Sequence, residues 1–259
     1  MIYPRGWFVV AMSDEVLPGA HHDVRYFGGP IRLQRDDAGT ACAEGFETRE
    51  CNGCVLVGYP AGSTPDYEVP VLPEHDNAAW EPFSIERMRI ATQSREIVEN
   101  VADRAHFVPV HGTHFETFAT AFDGHLATQR TTGGGSDKYP TSKFTTEATY
   151  HGPSFQVTRM HARGIGSVLL NAHTMVDEHA LDLYFGVTIE RTPRSQRFVN
   201  AYVDDIRTGF GQDVAIWEHK RWRDRPLLCD GDGPIMKLRK WYAQFYEDAE
   251  APQGPGGRQ

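Results

Sequence analysis

The chain has 259 residues, 40% hydrophobic and 24% charged, the proportions of a globular protein with room for one sizeable core or two small ones. A net charge of −9 argues against a nucleic-acid partner, because neutralising phosphates needs a basic face. No apolar run reaches membrane-spanning length, the first residues lack the apolar stretch of a secretory signal, and four cysteines are too few for a disulfide scaffold; the expectation is a cytoplasmic protein with free thiols.

In chain order, residues 7–11 (Trp-Phe-Val-Val-Ala) read as a buried strand and residues 24–33 as another, closed by the turn at 36–39. Cys51-Asn52-Gly53-Cys54 has the spacing of a metal or redox pair, but Asn-Gly is a hairpin dipeptide, so the cysteines are read as flanking a turn into a strand over 54–59. Residues 60–73 form a proline-rich crossing that reads as a domain boundary. Beyond it the first clear helix is expected over 95–105. Strand patterns follow over 114–130, 143–163, 167–175 and 181–190, with turns expected at 133–136 and 151–153. Long helices are expected over 195–223 and 233–247, and a Pro/Gly-rich disordered tail over 251–259. The outline is α+β, a curved antiparallel sheet against long helices, with a smaller β-rich piece in front.

One segment carries chemistry. Asn100, Asp103, His106 and His111 lie within twelve residues. Imidazoles suit iron, zinc or copper, and two histidines with a carboxylate on one face of the metal are the non-haem Fe(II) arrangement. Asp103 and His106 share a helical face, whereas His106 and His111, five apart, do not; Pro109 is expected to end or kink the helix between them. A helix whose two histidines merely pack fits the spacing equally well. A third ligand must come from elsewhere. Asp213 precedes Val214, Ile216 and Trp217, so it could point inward, although an exposed helix carboxylate is the plainer reading of those residues alone.

The other candidates are weaker. His114 is a possible neighbour of the site, three residues beyond His111; His161, His173 and His179 are ordinary strand or turn residues. Gly133–Gly135 lacks the strand-then-helix setting of a phosphate loop, and the basic run 221–225 is expected at a helix end. No Ser-His-Asp or Cys-His nucleophile set is evident.

Three separated motifs favour the metal. They are Glu96-x3-Asn100-x2-Asp103-x2-His106-x4-His111, Gln212-Asp213-Val-x-Ile-Trp217, and the run from Pro226 through Asp232-Gly-Pro234 to Trp241-Tyr-x-Gln-Phe245. Together they resemble the oxygenase component of the Rieske non-haem iron oxygenases, in the branch of 3-ketosteroid 9α-hydroxylase and cholesterol 7-desaturase. The resemblance implies a helix-grip catalytic domain in which His106, His111 and Asp213 bind Fe(II). Asn100 stands beside the metal as a close non-ligand or weak ligand. Asp103 is the acidic bridge that orients a ligand histidine and passes electrons in from a neighbouring subunit.

The opening strands, including Tyr3-Pro-Arg-Gly-Trp7 and Leu33-x-Arg35, also resemble that family's Rieske domain. The Cys-x-His and Cys-x-x-His pairs that hold a [2Fe–2S] cluster should follow, and they are missing. The expected organisation is therefore a truncated, cluster-less Rieske-like piece over 1–70 and an iron domain over 71–250. The expected function is hydroxylation or desaturation of a bulky, steroid-like or polycyclic substrate with O₂. Electrons come from a separate Rieske or ferredoxin-type protein or a reductase. The rival is a catalytically silent or ligand-binding subunit of a heteromer. The retained ligand set, with Asn100 and Asp103, favours the enzyme; the family's head-to-tail trimers leave homo- and hetero-oligomers both open here.

Overall fold

The computed structural model describes residues 2–136, 141–193 and 195–246. The expected tail at 251–259 lies outside the described residues. Three antiparallel sheets carry the fold. Strands β1 (Gly6–Met12), β5 (Thr48–Cys51) and β6 (Cys54–Tyr59) form one, in the order β1-β6-β5; β2 (His22–Tyr26), β3 (Gly29–Arg35) and β4 (Ala41–Ala43) form a second. The third has seven strands: β7 (Ser84–Ile90), β8 (Thr113–Asp123), β9 (Leu126–Ser136), β10 (Phe144–His151), β11 (Phe155–Ala162), β12 (Ile165–Met175) and β13 (Leu181–Ile189). Its order is β7-β13-β12-β11-β10-β9-β8, a meander of successive hairpins with the earlier β7 added at the edge.

β1 and β6 are the middle of a stack. Trp7, Val9, Cys54 and Leu56 share a core with Val157, Leu170 and Ala172 of the large sheet, while Val10, Val55 and Val57 pack with Ile31 and Leu33 of the second small sheet. Burial on both faces explains why these strands read as unbroken apolar runs rather than alternations. The proline-rich crossing is tied in as well. The Trp7 indole donates to the Tyr67 carbonyl at 2.9 Å, and the Tyr67 ring fills the space that a side chain at Gly6 or Gly152 would need. The core therefore runs without a break across residues 60–73.

Several elements depart from expectation. Residues 24–33 are not one strand but the β2–β3 hairpin, turning at Phe27-Gly28 with both φ angles positive. Gly133 to Ser136 are strand, not turn: Gly133 pairs with Phe144, whose ring occupies the place of a Cβ there. The helix expected over 95–105 breaks into α1 (Ser94–Val98), a 3-10 turn (Glu99–Val101) and, after a gap, α2 (Phe107–His111). Pro109 does not end a helix but sits third in α2, where its missing N–H has no intrahelical partner to lose. Gly112, left-handed at φ 58°, closes α2 and turns the chain into β8.

α3 (Ser195–Trp217) packs on the large sheet through Tyr202, Ile206 and Phe210 and stops six residues short of expectation. Thr92 Oγ1 donates to the Trp217 carbonyl at 3.0 Å, and Lys220 turns away to pair with Glu96 and Glu99 at 3.1 and 2.8 Å. The basic run 221–225 thus leaves the helix, and the guanidinium groups of Arg95 and Arg239 lie 4.4 and 3.7 Å from the Trp222 ring centroid. α4 (Ile235–Ala243) buries Leu238, Trp241 and Tyr242 against the main core.

Candidate metal centre

His106 caps the start of α2 and His111 is its last residue, so five residues of short helix bring the two rings to 5.2 Å between centroids, nearly perpendicular. Asp213 comes from the last two turns of α3. It lies on the stripe Tyr202, Ile206, Phe210, Trp217, spaced at three and four residues, and is 6% exposed. Of the three apolar residues that suggested inward orientation, Trp217 is buried on this stripe, whereas Ile216 is exposed and Val214 only half-buried. One ligand atom from each of His106, His111 and Asp213 lies within 4.8 Å of the others. Among the described residues this is the one group of three such side chains.

The surrounding contacts orient each donor. The Asp103 carbonyl takes a hydrogen bond from His106 Nδ1 at 2.6 Å; a carbonyl only accepts, so the proton is on Nδ1 and Nε2 keeps its lone pair. His111 Nδ1 meets Gln212 Oε1 at 3.1 Å, and His111 Nε2 lies 3.2 Å from Asp213 Oδ1. Asn100 Nδ2 donates to the other Asp213 oxygen at 3.2 Å. Burial alone favours neutral His111, but the Asp213 carboxylate and the Gln212 contact outweigh it and raise its pKa.

Asp103 stands beside His106. Its carboxylate is 3.6 Å from His106 Nδ1, so its backbone carbonyl makes the close contact, while Oδ1 accepts the Ala105 amide at 3.0 Å. Burial opposes ionisation, but His106, the Ala105 amide and Lys220 hold its pKa below the ordinary value. His114 lies exposed on β8, outside the group, and His161 and His179 are exposed. His173 is fully buried beside the Tyr150 ring, its nitrogens lacking well-formed hydrogen bonds. Gln212 was missed as a positioning residue; its only signal was its place beside Asp213 in the motif.

The triad opens on a cavity of about 480 Å³, within the range of small-molecule sites. Ile97, Phe210, Trp217, Ala148, Met160 and Leu169 give it a mostly apolar wall. A second cavity, about 540 Å³, lies across α1, lined by Arg95, Glu99, Trp222 and Arg239, away from the triad. Among the described residues no helix is long and apolar enough to cross a membrane.

Residues 59–246 match the family model of the 3-ketosteroid 9alpha-hydroxylase C-terminal domain. The oxygenase component of 3-ketosteroid-9-alpha-monooxygenase from Rhodococcus rhodochrous is 32% identical over 321 positions, covering 96% of this chain and 85% of the relative. The corresponding protein of Mycobacterium tuberculosis is 32% identical, covering 95% and 82%. The first alignment is longer than this chain, so some seventy of its positions have no residue here. In fold, dicamba monooxygenase with dicamba bound superposes with a TM-score of 0.75 at 12% identity, covering 95% of this chain and 97% of that one. A further structure of that enzyme, holding non-heme iron and dicamba, gives 0.64 at 11% identity, covering 95% and 97%. Sequence and fold agree, and the chain belongs to the oxygenase-component family of 3-ketosteroid 9α-hydroxylase, within the Rieske-type oxygenases.

Proposed function

We propose that this protein is the iron-bearing subunit of an oxygenase that hydroxylates or desaturates a bulky hydrophobic, steroid-like molecule. The observation that carries the reading is the convergence of His106, His111 and Asp213 within 4.8 Å at the wall of an apolar cavity. The donor set fits ferrous iron: two imidazoles and one carboxylate, with room left for other ligands. When bound, that metal supplies the activation of O₂. The protein's own residues do the rest. The Asp103 carbonyl and Gln212 hold the two rings by Nδ1, which leaves Nε2 for coordination. Asn100 steadies the Asp213 oxygen that His111 does not meet. The seven-stranded sheet and α3 act as a helix-grip around the substrate, Phe210 and Trp217 excluding water from one side.

Residues 1–70 serve as a Rieske-like piece without a cluster, and 71–250 as the iron domain. Of the cysteines, Cys54 is buried and burial pushes its thiol up to about 12; Cys51 is raised for the same reason. The sequence offers them no Cys-x-His or Cys-x-x-His partner pair. Electrons then come from a separate cluster-bearing protein or reductase, with Asp103 on the entry path, in a cytoplasmic homo- or hetero-oligomer.

The test is metal analysis with a single turnover. Purified protein binds about one iron per chain, lost in His106→Ala and Asp213→Ala, and chemically reduced iron protein oxidises a steroid in one turnover. Protein that holds no iron favours the silent subunit; iron without oxidation of any steroid sinks the assigned reaction.

A further inference from the structure

The second cavity, across α1 from the triad, has the chemistry of a site in its own right. The short helix divides the two spaces: Ile97 and Asn100 line the triad's cavity, whereas Ser94, Arg95 and Val98 line the other, of about 540 Å³. Tyr3, Met175, Leu238 and Tyr242 add to its apolar wall.

Two polar groups in that wall are left without partners. Ser94 is 1% exposed, and its Oγ makes no well-formed hydrogen bond. The neighbouring Tyr242 hydroxyl is already committed, donating to the Pro153 carbonyl at 3.3 Å. Arg95 is half-buried; its Nε is buried without a hydrogen-bond partner, and among the described residues it forms no ion pair. The carboxylates nearby are spent or distant. Glu99 is taken by Arg239 at 2.5 Å and by Lys220 at 2.8 Å. Glu178 is exposed and stands at the Tyr3 end, where burial and then the Glu178 charge raise the pKa of the Tyr3 hydroxyl. Arg95 marks the other end. Its guanidinium lies 4.4 Å from the Trp222 ring centroid, and its charge opposes the burial that raises the Tyr246 pKa.

A ring face attracts a cation without neutralising it. A partly desolvated guanidinium with no anion is costly, and its planar fork matches a carboxylate. An apolar side chain would complete the same wall without desolvating a charge, so packing does not account for Arg95. An apolar cavity with a few convergent polar groups is the usual form of a small-molecule site.

We infer that this cavity binds a hydrophobic carboxylate, its head on Arg95 and Ser94 and its hydrocarbon body against Tyr242 and Leu238. Arg95 and the Ser94 hydroxyl donate to the carboxylate oxygens, and the ligand is separate from whatever occupies the triad's cavity.

The test is equilibrium binding to the metal-free full chain. The probes are a ring acid and a chain acid, cholate and decanoate, each below its micelle-forming concentration and each paired with its uncharged methyl ester. At least one acid binds the wild type about tenfold more tightly than its ester. Arg95→Gln brings that acid down to the level of the ester, and Ser94→Ala weakens it about threefold. Arg95→Lys keeps the charge and part of the preference, which guards against a misfolded glutamine variant. Preference for cholate or for decanoate supports the inference either way and fixes the shape of the ligand body. Equal affinity for both acids and their esters, or a preference that survives Arg95→Gln, overturns the inference. So does displacement of the acid by progesterone, which would seat it in the triad's cavity instead.

Discussion

Asp213 shows how much one position can carry two demands. It is a buried carboxylate within an apolar helix stripe, partnered by His111 and Asn100. Removing one member of a buried polar group leaves its partners unmatched. Asp213→Leu is therefore expected to abolish iron binding and to lower the stability of the metal-free protein by about 1–3 kcal/mol. An unchanged urea midpoint would show instead that the carboxylate serves the metal alone. At this scale the sequence was partly legible. Two histidines near one acid were evident, and so was Trp217, but the stripe that turns Asp213 inward runs on through Phe210 and Ile206 rather than through Ile216. The role of the Asp103 backbone could not be read, because any residue has a carbonyl and only the break after Val101 aims this one at His106.

Between residues and fold, the short helix α2 decides whether the two imidazoles meet. Its geometry rests on its two ends. Pro109 occupies a position that needs no donor, so Pro109→Ala is expected to change stability by less than about 1 kcal/mol and to leave iron affinity nearly intact. Gly112 is different: at φ 58° a side chain is strained, and Gly112→Ala should cost about 1 kcal/mol and loosen iron, because His111 is the adjoining residue. Denaturant titration and metal competition measure both; equal behaviour of the two variants would refute this division. Proline as breaker was the natural sequence reading, since only the local hydrogen bonds reveal a helix that begins two residues before it. Gly133 to Gly135 misled likewise: three glycines signal a turn, whereas here the Phe144 ring needs the absent side chain of Gly133. Alternation and hairpin spacing from 113 to 189, by contrast, were strong enough to give the large sheet its antiparallel character.

For the molecule as a whole, the continuous core and the contacts between sheets imply one unfolding unit. Tyr26 of β2 donates to Asp182 of β13 at 2.9 Å, and Arg89 of β7 clamps the same carboxylate at 2.8 and 3.0 Å. Asp182→Ala leaves Tyr26 without this acceptor and should cost about 2 kcal/mol, with tryptophan fluorescence and far-ultraviolet dichroism still reporting one shared transition. Two separated transitions would mean that the front piece and the large sheet fold independently. Acid stability is set by buried histidines. Burial lowers His173 to about 3, opposed by the Pro153 backbone, and lowers His151 to about 4, with His125 and Arg159 adding to the effect. The unfolded chain takes up these protons first, near the ordinary histidine value of about 6.5. Stability is therefore fully present above that pH and falls as pH drops toward 4 and 3, by up to about 1.4 kcal/mol per pH unit for each ring. His173→Leu should flatten this acid limb in pH-dependent urea melts; an unchanged slope would exclude the ring as its source.

The sandwiching of β1 and β6 has a consequence for biogenesis. These strands leave the ribosome well before the residues that cover them, since Val9 is met by Thr174 and Trp7 by Ser154. At ordinary elongation rates the wait is on the order of ten seconds. Throughout it, two greasy ribbons stand open to any passing chaperone or like-minded nascent chain.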